Sequence, residues 1–305
     1  MSSFEDQIRS RQRFGLHHIV AIDTDRESYG YDNDNKFWHQ SRLFMKNISS
    51  RYTKSDLPIV FYEYDMRELW YMIIQGAKIT DAKHPAQDRL AGQILHAREM
   101  GVLRRRNTAS GVEEEEEAST SNGKIWVDLP FLAQEFQAAW NAADKLLATE
   151  RHNLSAFIAR LSAWGVCGSE LCVCALSIFR DTFETRRPLT ATDDPQGDSL
   201  LPIADLLPAA VAWFELCGYK IESLCLSNQG FESSTVGELA REAQVFPDTG
   251  FSTSRWLFWR RRLEEIGHCD HAEMAALAQR GLRLMQSWGE RILAIDNSSD
   301  QNKQH

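Results

Sequence analysis

Two adjoining apolar helical patterns between Leu154 and Glu184, LSAFIARLSAWGVCGSELCVCALSIFRDTFE, constrain the fold more than any other part of the chain. In the first, Leu154, Phe157, Ile158, Leu161 and Trp164 recur at helical offsets. That spacing follows a period of about 3.6 residues and predicts one buried stripe, with Arg160 pointing away from it. In the second, Leu171, Ala175, Ile178 and Phe179 mark one face, and Cys172, Leu176 and Phe183 an overlapping one. A helix apolar over most of its circumference needs neighbours on several sides. The pair is therefore expected at the centre as a helical hairpin, with Arg180, Asp181 and Glu184 where its second helix emerges.

The other apolar patterns are helical too. Segments from Phe4 to Ile22 (weakly patterned) and from Lys36 to Tyr52 are expected as helices, separated by a polar loop, DTDRESYGYDNDN. Asp56 and Pro58 sit where a cap and a first-turn proline belong, ahead of Met66, Leu69, Trp70, Ile73 and Ala77. Pro85 opens a helix with Leu90, Ile94 and Ala97 inward, and Asp128 is placed to cap one carrying Leu132, Phe136 and Trp140. Leu207 to Cys225 make a long stripe, with Pro208 in its first turn or at a kink. Trp256, Trp259, Leu263 and Ile266 line another helix, and Asp270 with Glu273 resembles a capping box opening the last. No segment alternates with a two-residue period, so the expectation is an all-α bundle of about nine or ten helices without a sheet of consequence.

Residues 104–124, RRRNTASGVEEEEEASTSNGK, are nearly devoid of apolar side chains and carry five consecutive glutamates. Such a segment cannot offset its ordering entropy by burial, so it is expected to be a disordered acidic linker or loop whose Arg and Glu runs attract each other loosely. The expected division is then an N-terminal helical segment, 1–103, packed on a main helical domain, 125–295, with a disordered tail, 296–305.

The net charge of −9 over 305 residues argues against a protein that lives on nucleic acid or anionic membrane. No signal-like or membrane-spanning apolar run is present, and all six cysteines lie in or beside helical patterns. Reduced thiols and a cytoplasmic location, with a nuclear one as the alternative, are expected.

Three stretches carry a resemblance: WVDLPFLAQEFQAAW from Trp126 to Trp140; NLSAFIARLSAWGV followed by SIFRDTFE; and SRWLFWRRRLEEI. In their order and spacing, over Trp126 to Trp288, they resemble a family of uncharacterised, mostly helical fungal proteins known as a domain of unknown function. The resemblance implies a fungal source, an all-α fold, and the occurrence of members near genes of specialised metabolism. It supplies no catalytic residues.

Read for chemistry, the chain offers few constellations. Cys172 and Cys174, two apart on a helix, diverge by about 200 degrees and cannot clasp one ion. They read as small core residues. His268, Cys269 and His271 lie at a helix-joining turn without a second ligand cluster. Asp193, Asp194 and Asp198 superficially resemble the magnesium-binding aspartates of helical terpene synthases, but Pro195 and Gly197 break any helix through them. Asp32 and Asp34 fail as an EF-hand loop because Lys36 takes a ligand position. No phosphate loop, G-x-G-x-x-G, H-E-x-x-H or G-x-S-x-G occurs, which argues against an enzyme of the common classes. Neither metal nor cofactor is expected.

The sharpest feature is SRWLFWRRRLEEI, where Arg260 with Glu264 and Arg261 with Glu265 can pair across a turn. Its core-facing stripe needs no function. Arg255, Trp259 and Arg262 are nevertheless the candidate partner surface, since Trp and Arg often dominate interfaces. Two functions are consistent with these features: a non-enzymatic accessory protein that binds a protein partner, or an enzyme or small-molecule binder with an apolar pocket between helices, accessory to a specialised-metabolite pathway.

Overall fold

Among the described residues every long element is a helix. The structure, a computed structural model, describes residues 4–29, 34–107, 114–193, 200–232, 234–247 and 249–293. The chain divides into two units, Met1–Ala143 and Asp144–His305.

The first unit is built on α3 (Ile59–Ile79), which packs against α1 (Phe4–Tyr29), α2 (Asp34–Lys54), α4 (Ala86–Glu99) and α5 (Leu132–Asn141). Met66, Leu69, Trp70, Ile73 and Ala77, the expected stripe, are all buried, and the Trp70 indole N–H donates to the Pro130 carbonyl at 2.8 Å. Three local expectations change. Helix α1 runs through the expected loop as far as Tyr29. Pro58 is the N-cap of α3 rather than a first-turn residue. Asp128 accepts from the Lys124 backbone N–H at 2.7 Å, while α5 is entered from Phe131 in the left-handed region.

The segment expected as an unstructured linker is ordered where it is described. Strand β1 (Arg104–Asn107) pairs antiparallel with β2 (Glu114–Glu117), and β3 (Ser119–Thr120) with β4 (Gly123–Lys124). The register sets Arg104, Arg105 and Arg106 opposite Glu117, Glu116 and Glu115. Arg105 forks both Glu116 oxygens at 2.9 Å and donates to the Ser55 and Leu57 carbonyls, also at 2.9 Å. Cross-strand opposite charges and backbone pairing replace the apolar burial that the segment lacks.

The second unit comprises α6 (Ala148–Ala163), α7 (Val173–Phe179), α8 (Ile203–Leu226), α9 (Glu238–Glu242), α10 (Thr253–Ile266) and α11 (Ala272–Trp288). Helix α6 is buried on all sides from Asn153 to Ser162, Arg160 included, and packs most extensively on α8. The expected outward Arg160 is thus corrected. Trp164 leaves the stripe, 39 % exposed, because the helix has ended before it.

Helix α7 is short and passes into a π-helical turn, Arg180–Glu184. The wider turn shifts the facing of its later residues relative to α-helical spacing. Glu184, expected where the helix emerges, is therefore turned inward and fully buried. The rings of Phe179, Phe214, Trp256 and Trp259 pack on one another, and that of Trp259 reaches Glu184; Phe179 stacks on Phe214 at 4.7 Å. Pro208 lies inside α8, whose non-helical residue is Cys217. The expected capping box at Asp270 is absent: His271 is the N-cap of α11 and makes no side-chain cap.

Gly250 marks where backbones crowd. Its φ is +69°, and a Cβ there would stand 2.3 Å from the Gln229 carbonyl oxygen. Gly250→Ala is expected to lower stability by at least about 1–2 kcal/mol, the cost of left-handed backbone alone. Urea denaturation would check this, and an unchanged midpoint would contradict it.

Candidate functional site

The helix expected to present a partner surface turns two of its three candidate residues inward. Arg255 and Trp259 are both 0 % exposed. Arg255 forks Glu184, Nε to Oε1 at 2.9 Å and Nη2 to Oε2 at 3.0 Å. Glu184 also accepts from the Trp259 indole N–H at 2.6 Å and the Gly237 backbone N–H at 2.7 Å. Arg255 Nη1 donates to the Gly250 carbonyl at 2.5 Å. A buried guanidinium needs such a saturated shell, so the tryptophan and arginine that suggested an interface instead knit α10 to the π turn. Arg262 stays partly exposed, bonded to Glu265 and, at 3.2 Å, to the Phe183 carbonyl. The Arg260–Glu264 and Arg261–Glu265 pairs form as expected.

The other sequence candidates remain apart. His268 Nδ1 lies 2.6 Å from the Glu264 carbonyl, and His271 lies 3.8 Å from Asp193. Asp194, Asp198 and Asp32 fall outside the described residues. Among the described residues no cluster of three or more His, Cys, Asp or Glu is placed to hold a metal ion. Cys172, Cys174, Cys217 and Cys225 are buried.

A different constellation forms in the first unit. Helix α1 crosses α3 with Gly15 against Glu68: a Cβ at Gly15 would stand 2.4 Å from Glu68 Oε1. That close approach brings Arg11 onto two buried carboxylates three residues apart on α3, Asp65 and Glu68. Arg11 Nη1 donates to Glu68 Oε1 at 2.7 Å and Nη2 to Oε2 at 2.9 Å, while Nη2 also reaches Asp65. Arg51 donates to the other Asp65 oxygen at 2.9 Å, and His18 Nδ1 lies 3.4 Å from Glu68 Oε2. Burial alone would raise the Glu68 carboxyl; the His18 and Arg11 hydrogen bonds outweigh it and hold Glu68 below its ordinary value. Burial opposes the Arg11 charge, but Glu68 and Asp65 more than compensate and raise its pKa.

Above this cluster lies an open groove of ≈ 450 Å³ between α1, α3 and α5. Leu16, Ile19 and the rings of Tyr64 and Tyr71 supply its apolar walls; Arg11, Arg67, Glu68 and Glu135 supply its charge. Gln12 donates to the Tyr64 hydroxyl at 2.8 Å, and Arg67 pairs with Glu135 while lying 4.1 Å over the Phe131 ring. Leu16 is 64 % exposed, an apolar residue left facing water at the groove. The second unit has a groove of ≈ 440 Å³ lined by Thr190, Leu207, Pro208, His271 and Met274, with no buried ion-pair cluster in its lining. The α1–α3–α5 groove is therefore the better-built candidate.

Sequence reasoning missed this site. The signal available was a pair of acidic residues three apart inside the apolar run of α3, together with a glycine in mid-helix at position 15.

A family model described as "Protein of unknown function (DUF3632)" matches residues 70–263. That span holds Glu184, Arg255 and Trp259 and begins just after Glu68. "Oxopyrrolidines biosynthesis cluster protein G" of Penicillium oxalicum is 31% identical over 277 residues, covering 83% of this chain and 76% of that protein. No solved structure matches the chain. Among the described residues no helix is long and apolar enough to cross a membrane.

Proposed function

The chain belongs to this family of proteins of unknown function, and on that premise we propose that it is a binding or accessory protein holding a small, largely apolar metabolite in the α1–α3–α5 groove. The observation that carries the reading is an apolar-walled groove built directly on a hydrogen-bonded, charge-balanced floor. Its ≈ 450 Å³ suits a small molecule, and apolar walls with a few placed polar groups are the usual make-up of such sites. The bidentate Arg11–Glu68 contact ties α1 to α3, the two helices that carry most of the groove lining. The relative's name, which refers to an oxopyrrolidine biosynthesis cluster, supports a role beside a specialised-metabolite pathway.

Native mass spectrometry of the protein expressed in a filamentous fungus tests the reading. A small-molecule adduct is expected on the wild type and is expected to be lost from Leu16→Glu, a change at an exposed position that leaves the core intact. A bare wild-type mass, or an adduct retained by the variant, would refute the groove as the site.

A further inference from the structure

The polar groups around the groove are unequal in what they still have to offer. Glu68 is saturated by Arg11 and His18, and Asp65 by Arg11 and Arg51. Among the described residues Arg67 makes one hydrogen bond, from Nη1 to Glu135, although a guanidinium carries five N–H donors. Its Cζ lies 4.1 Å from the Phe131 ring centroid, and the side chain is partly exposed, so its other donors are open to a ligand. The Tyr64 hydroxyl accepts from Gln12, so its own proton remains to be donated. The charges below cancel in pairs: Arg11 and Arg51 against Asp65 and Glu68, Arg67 against Glu135. Net charge therefore does not choose between an anion and a cation; the unused donors of Arg67 and Tyr64, which outnumber the one Glu135 oxygen that Arg67 leaves open, favour an anionic head.

Resting on the groove reading above, we propose that the groove selects a ligand with a planar, two-oxygen anionic head. The head is gripped by the Arg67 guanidinium and the Tyr64 hydroxyl, and its apolar tail lies along Leu16 and Ile19. A guanidinium fork matches two oxygens sharing one negative charge, and such charge-assisted hydrogen bonds are the stronger kind. Arg67 is then the residue that determines specificity, and the walls supply affinity for the tail.

Three probes with the same tail separate the claims: octanoate, 1-octanol and octylammonium, titrated calorimetrically into wild type and into Arg67→Met. The Met side chain keeps much of the arginine stem over Phe131, and a matching melting temperature shows that the variant folds. Octanoate is expected to bind the wild type at least about tenfold more tightly than the other two, as one charge-assisted contact allows. Arg67→Met is expected to bring octanoate down to the level of octanol. If no probe binds, the groove reading itself fails. If all three bind alike, or octylammonium binds best, the groove stands and the anionic head is overturned. Discrimination that survives in Arg67→Met, or is lost only in Tyr64→Phe, overturns the assignment to Arg67.

Discussion

Glu184→Ala lowers stability by about 3–5 kcal/mol, the range expected when one partner of a buried ion pair is removed. The substitution leaves the Arg255 guanidinium without a counter-charge at a site with no access to water, and it orphans the Trp259 indole N–H and the Gly237 backbone N–H. Each of those donors then bears its own desolvation cost. Removing both charges is expected to be milder: Glu184→Leu with Arg255→Met recovers most of the loss, because well-packed apolar side chains replace a buried pair at little net cost. Urea denaturation of the two variants checks this. A loss under about 1 kcal/mol for Glu184→Ala would mean that the cluster is wet or rearranged.

Arg11→Leu is expected to cost about 2–4 kcal/mol at neutral pH, less than a full buried pair because Arg51 still serves Asp65 and His18 still serves Glu68. Its pH dependence carries a definite sign. In the wild type Glu68 sits below its ordinary 4.5, so its contribution is complete above that value and is lost as pH falls through the lower folded value. Without Arg11 the burial effect is opposed by His18 alone, so Glu68 takes up its proton at higher pH than in the wild type, and protonation relieves the penalty for burying its charge. The stability gap between wild type and Arg11→Leu is therefore widest near pH 7 and narrows as both are taken below about pH 4.5. A gap that widens on acidification would contradict the ion-pair account of the floor.

The helical architecture was legible because the apolar periodicity is long and repeated: the stripes of α3, α8 and α10, and that of α6 as far as Leu161, are buried where the spacing placed them. What escaped were features that depend on partners distant in sequence. Arg255 sits beside Trp256 in a pattern that a solvated helix back would share, and only Glu184, 71 residues away in the chain, makes its burial tolerable. The π turn that carries Glu184 inward has no periodicity signal of its own. Helix α1 looked weak for a related reason. Its contribution to the first unit is Ile22, buried with Phe37, Met72 and Ile79, together with a glycine contact and an arginine, rather than a long apolar stripe; the arginine's partners Asp65 and Glu68 lie more than 50 residues on. The opposed Arg and Glu runs were visible as mutually attracting, but their strand register was not, since pairing charges by hairpin needs no alternation of apolar residues.

Hydrogen–deuterium exchange with and without saturating octanoate tests the groove most directly. Slower exchange confined to the stretches around Arg11–Ile19, Tyr64–Tyr71 and Glu135 is the predicted result. Protection located instead along α10 and the π turn, or no protection at all, would contradict it.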